Sequence, residues 1–550
     1  MALAPLIVRC AAALSGSGGE GSQSADVANE RRVQAMNDPQ SANSAGVATV
    51  QAVDAVGKIE THGVEYIPES DRHSSPRNIF YILIGANLTF GLIVLGWLPF
   101  SFGLGWWASF WSIIVGDAVG ALLFAPVALL GPRTGTNGPV SSGAFFGVVG
   151  RLIGSALAIF IAIGFYALTV WTGGQIAVYG AHRLFGLPSG NLELGIAYAI
   201  IAVIAITAAI YGHANMLFVQ KFLIPTVGLL MIVGFIVFGS RFNADYAGGH
   251  YLLGGFWATW ALAVTISAAA TFGYGPFVND WARYISRKKY SDKSIFNWTI
   301  AGGFVGLTFP LLFGAYTAVA IANPSVSYVS GLVQISPIGY LVPLIILGLI
   351  GSLGQSTVCI YSNGLDFSSI VPVLKRVPAT ILLSAIGVLF IFLGTLVWNV
   401  ENTVSAFVSL FGVLAAPWIS IIVTGHFLRR GWYNADDLQV FNRRERGGIY
   451  WFTGGLNIRA CLAWVIASTV GLLFLDSSLY VGPWSSLANG IDLSWLSATF
   501  IGALLYLAAT LLFPEGPAVS GRGDGAAAAA SEAADASPIG LTPDGSGREL

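Results

Sequence analysis

The pair Trp171 and Gln175 has the residue types and the spacing to bind a flat, polar molecule. The two residues stand four apart in an apolar stretch of helical length, so their side chains would share one face of a helix. An indole offers a stacking surface, and a primary amide offers one donor edge and one acceptor edge. Together they suit a ring of the nucleobase type better than a sugar or a bare ion.

The elements that must position this pair are membrane helices. The chain has 550 residues, of which 55% are hydrophobic and 10% are charged, whereas soluble domains carry roughly 25% charged residues. Apolar segments of roughly 20 residues, long enough to cross a bilayer, recur along it. They lie near 78–100, 106–130, 152–181, 194–212, 216–239, 256–284, 298–322, 338–371, 379–398, 403–428, 458–475 and 491–513. We therefore predict an all-α polytopic membrane protein of about twelve transmembrane helices in a lipid bilayer.

Several function classes lack their sequence features. A net charge of −1 gives no basic surplus for nucleic acid, and the three cysteines (Cys10, Cys359 and Cys461) lie too far apart for a metal or disulfide pattern. The histidines form no HxxxH or HExxH pattern, and the chain has no GxxxxGK[ST] phosphate loop. We expect no enzyme, no metal, no cofactor and no nucleic-acid partner, and ATP-driven transport is disfavoured.

Polar tails flank the apolar region and frame the predicted topology. Residues 1–75 and 515–550 are of low complexity and are predicted to be disordered, around a transporter domain at 76–514. The first residues resemble a weak signal peptide, although an over-extended start codon is the favoured explanation. Lys and Arg concentrate in the loops after even-numbered spans, which predicts that both termini of this cell-membrane protein are cytoplasmic.

Glycine and proline cluster inside the first and sixth spans. The first contains GANLTFG at 85–91, and the sixth contains TFGYGPFVNDW at 271–281. These are corresponding positions in two halves of five helices each, and matched broken helices point to a binding site near the bilayer midplane. The alternative is that the glycines only permit close helix packing. For the cluster of Gly273, Gly275 and Pro276 we predict a broken helix, because proline clashes with the preceding turn.

Five further motifs, read in order, resemble a known family. They are IETHGVEYIPESDRHSSP at 59–76, GANLTF at 85–90, LLGPRTGTNGP at 129–139, NDWARYI at 279–285 and IYSNGLDF at 360–367. Over roughly residues 58–514 the chain is similar to the nucleobase:cation symporters, in particular the purine/cytosine permease branch. The resemblance implies a leucine-transporter-like fold with two inverted repeats of five helices and two added helices. It also implies a substrate site between spans one, three, six and eight.

The resemblance assigns substrate-binding roles residue by residue. Trp171 and Gln175 match the family's pattern in span three, and Asn87 is either a polar contact or a cap for the break in span one. A second aromatic residue is expected in span six, where Phe272 and Tyr274 stay alternatives. In span eight, Gln355 and Ser356 occupy the places of the branch's usual Asn-Asn pair, which leaves the exact base open.

Other residues are candidates for coupling and gating. Asp117 lies in the middle of span two, where an ionisable group is a functional candidate; it either takes part in proton coupling or bonds a neighbouring helix. Gly85, Ala86 and Ser352 are candidates for a Na⁺ site, although such serines more often bond their own backbone. The candidate gating residues, which either form an ion pair or anchor the chain at the headgroups, are Arg133, Asp280 and Arg283.

These features together predict a secondary active transporter. It would import nucleobases of the purine/cytosine type, or a related heterocycle, coupled to H⁺ or Na⁺, with H⁺ favoured. The alternative is an uncoupled facilitator or channel for a small polar heterocycle such as allantoin or hydantoin.

Overall fold

The computed structural model describes residues 56–60, 62–323, 326–397 and 400–520, with side chains described outside 393–402. Within these ranges the chain is helical, and extended pairing is limited to isolated bridges. The helices are α1 Pro76–Asn87, α2 Phe90–Ser101, α3 Trp106–Phe124, α4 Leu130–Thr134, α5 Gly138–Phe146, α6 Leu152–Phe185, α7 Asn191–Tyr211, α8 His213–Phe238, α9 Phe256–Phe272, α10 Val278–Ala282, α11 Asp292–Ile321, α12 Tyr328–Ile335, α13 Ile338–Ile370, α14 Arg376–Val397, α15 Val400–Leu428, α16 Ile458–Phe474 and α17 Ser494–Leu512.

The lengths and composition of these helices agree with a polytopic membrane protein. In the described part of the chain, eight helices are long and apolar enough to cross a membrane, and the bent pair α1–α2 makes up to nine. Three shorter apolar helices, at 256–272, 376–392 and 458–474, fall at predicted spans six, nine and eleven. The architecture is therefore consistent with the predicted twelve spans.

Both predicted helix breaks are present. Helix α1 ends at Asn87 and α2 begins at Phe90, with a bend of 67° between them. Helix α9 ends at Phe272, and the chain turns through Gly273–Phe277 before the five-residue helix α10. The prediction of a broken sixth span is confirmed, and the first span is broken as well.

The centre of the bundle lies between the broken spans and the two longest helices. Helix α6 has 34 residues and packs along α13, which has 33. At 1.5 Å per residue α6 is about 50 Å long, more than the roughly 30 Å of a hydrocarbon core, so it tilts or projects beyond it. Gly186, with φ of 65°, ends α6 in the left-handed conformation that glycine adopts without strain. Helices α1, α2 and α10 contact this pair or one another and complete the central group.

Small residues bring the broken first span against its neighbour. A Cβ atom on Gly96 of α2 would lie 2.0 Å from the carbonyl oxygen of Leu311 on α11, and one on Gly314 would lie 1.9 Å from that of Ile93. Only glycine allows this approach of two backbones, which is the usual basis of tight helix packing in membranes.

The segment after predicted span two is buried, although a sequence of this kind suggests a surface loop. Helices α4 and α5 follow a short 3₁₀ turn, and nearly every residue from Leu130 to Phe146 is buried. Helix α5 begins against the break in span six, because a Cβ atom on Gly138 would lie 1.7 Å from the carbonyl oxygen of Pro276. We call the end of the bundle that holds this segment the basic end, since the Lys- and Arg-rich loops lie there.

The predicted tails need correction where the structure describes them. Val64 and Ile67 are buried, and the Ile67 N–H donates to the carbonyl of Gly135 at 2.9 Å. At the other end Glu515 forms an ion pair with Arg429 at 2.8 Å. These two ordered segments are short and show no helical or strand periodicity. The polar average composition of each tail therefore gave no sign of them. Residues 1–55, 61 and 521–550, predicted as disordered, lie outside the described residues.

Candidate functional site

A small cavity lies where spans three, six and eight meet. It has only about 10 Å³ of room for the centre of a water molecule, whereas ligand pockets are roughly 300–1,000 Å³. The bundle is therefore closed around its centre. The lining residues are Phe165 on α6, Tyr274 and Phe277 at the break of span six, and Gln355, Val358, Cys359 and Ser362 on one face of α13.

Hydrogen bonds fix the polar groups around this cavity. The Thr169 hydroxyl donates to Gln355 Oε1 at 2.6 Å, which orients the amide from α6. The Tyr274 hydroxyl donates to Asn87 Oδ1 at 2.7 Å, while Asn87 Nδ2 donates to the carbonyl of Leu83 at 2.6 Å. Asn87 therefore caps the end of α1 and also joins the two broken spans. It is not among the residues that line the cavity, and its direct contact with a substrate stays a prediction.

The chemistry of this cavity is that of aromatic stacking combined with an amide. Phe165, Tyr274 and Phe277 present three rings, and Gln355 presents a group that both donates and accepts. Such a set can hold a flat heterocycle between rings while reading one polar edge. The rings must move apart before a molecule of that size can enter.

The structure places Trp171 away from this cavity. Trp171 lines a separate, larger space of about 450 Å³ between α6, α14 and α15, whose other walls are mostly apolar. Trp171 lies six positions after Phe165, and at about 100° per residue its side chain points about 240° away around the helix. One turn further along, Gln175 is half-buried, and its Oε1 has no hydrogen-bond partner among the described residues. The predicted pair shares a helix with the central cavity but not its face.

The candidate residues of spans six and eight differ in whether they line the central cavity. Tyr274 lines the cavity, whereas Phe272 is fully buried against Trp495 on α17, with ring centroids 5.7 Å apart. Gln355 lines the cavity too. Ser356 is buried beside it, and its hydroxyl finds no partner within the described part of the chain.

Asp117 is held by two hydroxyl groups. Its Oδ1 accepts from Thr271 and its Oδ2 accepts from Thr308, both at 2.8 Å. The carboxyl is fully buried and links α3 to α9 and α11, a short distance before the break in span six. This arrangement matches the predicted bond to neighbouring helices, and a role in coupling stays a prediction.

The predicted Na⁺ candidates lie close to one another without forming a set of free oxygens. The Ser352 hydroxyl donates to the carbonyls of Gly348 at 2.5 Å and Thr169 at 3.1 Å, as a membrane serine commonly does. Gly85 packs on α13 and α8, where Gln220 Nε2 donates to the carbonyl of Gly354 at 2.9 Å. Ala86 is buried in the same helix turn. Gln220 was not predicted, although a glutamine inside an apolar span was a visible signal.

The gating candidates have different partners from those predicted. Arg133 pairs with Asp292 at the start of α11 and also donates to the carbonyl of Gly431. Arg283 donates to the carbonyl of Gly63 at 2.6 Å and lies 3.6 Å from a carboxylate oxygen of Glu60. The third predicted residue, Asp280, accepts from the N–H of Gly138 at 3.2 Å. The basic end thus holds several ion pairs. No two of these three candidates lie within ion-pair distance of each other in the described part of the chain, although Arg283 interacts electrostatically with Asp280, and their gating role stays a prediction.

Glu60 is the main functional residue that sequence reasoning missed. It is only 3% exposed, and its carboxylate accepts from the His213 N–H at 2.8 Å and from the Tyr361 hydroxyl at 3.2 Å. One side chain thus ties the segment before α1 to α8, α13 and the end of span six. A single glutamate in a polar, aperiodic stretch gives no sequence signal for such burial.

A helical membrane bundle with a central cavity beside the break of span six is the architecture of a transporter, and comparison with known proteins agrees. Residues 66–497 match the family model described as permease for cytosine/purines, uracil, thiamine, allantoin. That match covers well over half of the chain. The chain therefore belongs to this family of permeases, as the sequence motifs predicted.

Individual relatives and a solved structure support the same assignment. The chain is 26% identical over 467 residues to the putative purine-cytosine permease YxlA of Bacillus subtilis, covering 82% of this chain and 95% of that protein. It is 24% identical over 364 residues to the thiamine transporter THI72 of Saccharomyces cerevisiae, covering 60% and 58% respectively. Its fold is similar to that of Mhp1, a nucleobase-cation-symport-1 family transporter solved in a closed conformation with bromovinylhydantoin bound. That similarity has a TM-score of 0.64 at 17% identity and covers 84% of this chain and 98% of Mhp1.

The fold and the class of function are thereby established. The chain is a multi-pass membrane transporter rather than an enzyme, and the predicted all-helical fold is confirmed. The twelve spans and the inverted repeat are consistent with this similarity.

Proposed function

We propose that the protein is a secondary active transporter that imports a purine/cytosine-type nucleobase or a related heterocycle, coupled to H⁺ or Na⁺ by alternating access. The observation that carries this proposal is the central cavity itself. Aromatic rings and an oriented amide converge there, at the breaks of two matched spans. Unwound segments at such positions form midplane binding sites in transporters built from inverted repeats.

We assign the substrate position to Phe165, Tyr274 and Gln355. The ring of the substrate stacks on Phe165 and Tyr274, and the Gln355 amide bonds its polar edge. Stacking of a base on an aromatic side chain is worth about 1–3 kcal/mol. This assignment keeps two of the predicted residues and replaces Trp171, because Phe165 rather than Trp171 faces the cavity.

Alternating access fits the two kinds of closure at this site. The cavity is narrow between the Phe165 ring on α6 and the rings at the break of span six, and Glu60 and Arg283 form an ion pair at the basic end. Separation of these groups at one end at a time would expose the site to one side of the membrane. The distribution of basic loops supports a cell-membrane location with both termini in the cytoplasm.

The decisive experiment is uptake of radiolabelled cytosine, adenine, hypoxanthine, uracil and allantoin into cells that express the chain. It is run at acidic and neutral pH, with and without Na⁺ and with a protonophore. Concentrative uptake that the protonophore abolishes identifies H⁺ coupling, and uptake that requires Na⁺ identifies Na⁺ coupling. Uptake that only equilibrates supports the facilitator alternative, and absence of uptake for every compound overturns the nucleobase assignment.

Cys359 offers a direct test of the binding position. Its side chain lines the central cavity, so a transported base should slow its reaction with a small thiol reagent. The measurement uses a Cys10→Ser, Cys461→Ser background, in which Cys359 is the one remaining cysteine. An unchanged labelling rate at saturating base would place the substrate elsewhere.

A further inference from the structure

Two buried carboxyl groups lie just beyond the central cavity toward the basic end. Asp280 on α10 and Asp366 on α13 are both fully buried. One oxygen of each is engaged: Asp280 Oδ1 accepts from the Gly138 N–H at 3.2 Å, and Asp366 Oδ1 accepts from Asn137 Nδ2 at 3.3 Å. The second oxygen of each has no donor within the ranges that the structure describes.

Unpartnered neutral oxygens lie on the elements that carry or contact these carboxyl groups. Asn137 Oδ1, Asn363 Oδ1 and Ser362 Oγ are also buried and have no hydrogen-bond partner among the described residues. Asn363 and Asp366 are three apart on α13 and share a face. Ser362 interacts with the Asp280 carboxyl without reaching ordinary hydrogen-bond geometry, and it also lines the central cavity. Five buried oxygens without an ordinary hydrogen bond thus lie on three elements, and one of them, the Ser362 hydroxyl, lines the central cavity.

The charge balance leaves this group negative. The guanidinium of Arg283 interacts with both Asp280 and Asp366, but its ion-pair partner is Glu60, at 3.6 Å. The second guanidinium nearby, that of Arg376, donates to the backbone carbonyl of Glu60 at 3.1 Å and forms no ion pair with these carboxyl groups in the described part of the chain. An unpaired buried carboxylate is costly, so a site of this kind requires a bound cation or a proton.

We propose that Asp280, Asp366 and Asn137, with Ser362 and Asn363, form a binding site for a monovalent metal cation, Na⁺ in the first instance. This inference rests on the proposed function only in making that ion the coupling ion. A single proton would satisfy one or two of the five acceptors, whereas an ion with oxygen ligands can take up all of them. The set has two carboxyl groups and three neutral oxygens with one guanidinium nearby, so a singly charged cation fits it better than a divalent one.

The position of this site links the ion to the substrate. Ser362 belongs both to the wall of the cavity and to the ion site. Asp280 follows the break of span six, in which Tyr274 lies. An ion at this position would hold α5, α10 and α13 together, and its release would free the basic end to open.

The test measures Na⁺ binding without transport or substrate. The thermal unfolding midpoint of the purified full chain in detergent is followed while NaCl replaces choline chloride at constant ionic strength and pH. We expect the midpoint to rise with Na⁺, as it does when any ligand binds the folded state alone. The concentration for half the effect should increase about tenfold or more in Asp366→Asn and in Ser362→Ala, since each removes a ligand oxygen or its charge.

Controls separate this site from the other candidates. Asp436→Asn removes a largely exposed carboxylate and should leave the Na⁺ effect unchanged, as should Asp117→Asn at the other buried carboxyl. If Asp366→Asn does not fold, Ser362→Ala carries the test alone. A wild-type midpoint that does not respond to Na⁺, or responds only to pH, overturns the metal site, as does an unchanged response in both site variants. A Na⁺ effect with no nucleobase uptake would keep this site while overturning the proposed substrate.

Discussion

At the scale of single residues, the central cavity shows how far a residue pattern can be trusted. On α6 an aromatic residue and a polar residue four positions later do lie on the cavity side, but they are Phe165, which lines the cavity, and Thr169, which bonds Gln355. The pair Trp171 and Gln175 lies on another side of the helix. Both pairs have the spacing of one helix face. Only packing shows which face looks inward, because an apolar span surrounded by other helices has no polar side to orient it.

The first prediction separates these two faces of α6. Phe165→Ala should weaken the apparent affinity for the transported base by about 1–3 kcal/mol, the usual value of one stacked ring. Trp171→Ala, which enlarges the outer space between α6, α14 and α15, is the matched control and should change affinity little. Concentration-dependent uptake of the identified substrate measures both. Strong loss in Trp171→Ala with normal affinity in Phe165→Ala would restore the original pair.

The second prediction concerns the hydrogen bond between Tyr274 and Asn87. Tyr274→Phe keeps the ring but leaves Asn87 Oδ1 buried without its donor, which costs about 1–3 kcal/mol. We expect a lower unfolding midpoint and slower uptake. In a double-mutant cycle with Asn87→Ala, the two effects should be non-additive, because each variant removes the same bond. Additive losses would show that the bond contributes nothing.

At the scale of elements, the breaks were predictable and the buried loop was not. Gly273, Gly275 and Pro276 fall within four positions of span six, and no uninterrupted helix accommodates them easily. Helices α4 and α5 are too short and too rich in glycine, proline and hydroxyl residues to register as apolar spans. Their burial arises from contacts with span six and α13, which lie far away in the sequence.

The third prediction tests that buried element. In Gly138→Ala the new Cβ would lie 1.7 Å from the carbonyl oxygen of Pro276, so α5 must move away from the break. Overpacking of this kind costs about 1–3 kcal/mol, and we expect reduced uptake and a lower unfolding midpoint. Gly143→Ala on the same helix is the control, since its Cβ would meet no atom of the described residues closer than 3.5 Å. Equal behaviour of the two variants would contradict the packing of α5 against span six.

At the scale of the whole molecule, the segment before α1 belongs to the transporter rather than to a tail. Glu60 lies on the basic end and contacts the start of α8, the end of span six and α13. In the alternating-access cycle proposed above, these contacts would have to separate when the site opens on that side. Composition could not predict this order, because the contacts of one buried carboxylate hold in place a segment whose other residues are mostly polar.

The fourth prediction follows from the position of Glu60. Glu60→Ala removes the 3.6 Å ion pair with Arg283 and the acceptor of the His213 N–H and the Tyr361 hydroxyl. These contacts join elements of the closed basic end, so we expect the substitution to favour its opening. We expect faster labelling of Cys359 by a membrane-impermeant thiol reagent applied to inside-out vesicles, in the background that lacks Cys10 and Cys461. Glu65→Ala, an exposed glutamate of the same segment, is the control. Unchanged labelling in Glu60→Ala would show that the segment does not restrict access.

The bond from Tyr274 to Asn87 has a consequence for the tightness of coupling. It joins the residue at which α1 ends to the turn inside span six, at 2.7 Å. Two unwound segments tied in this way rearrange together, so states in which only one has shifted are poorly populated. Such half-shifted states are those through which an ion would slip across without cargo. In the ion-coupled transporter proposed above, we therefore expect this one hydrogen bond between two broken helices to suppress leakage of the ion without substrate.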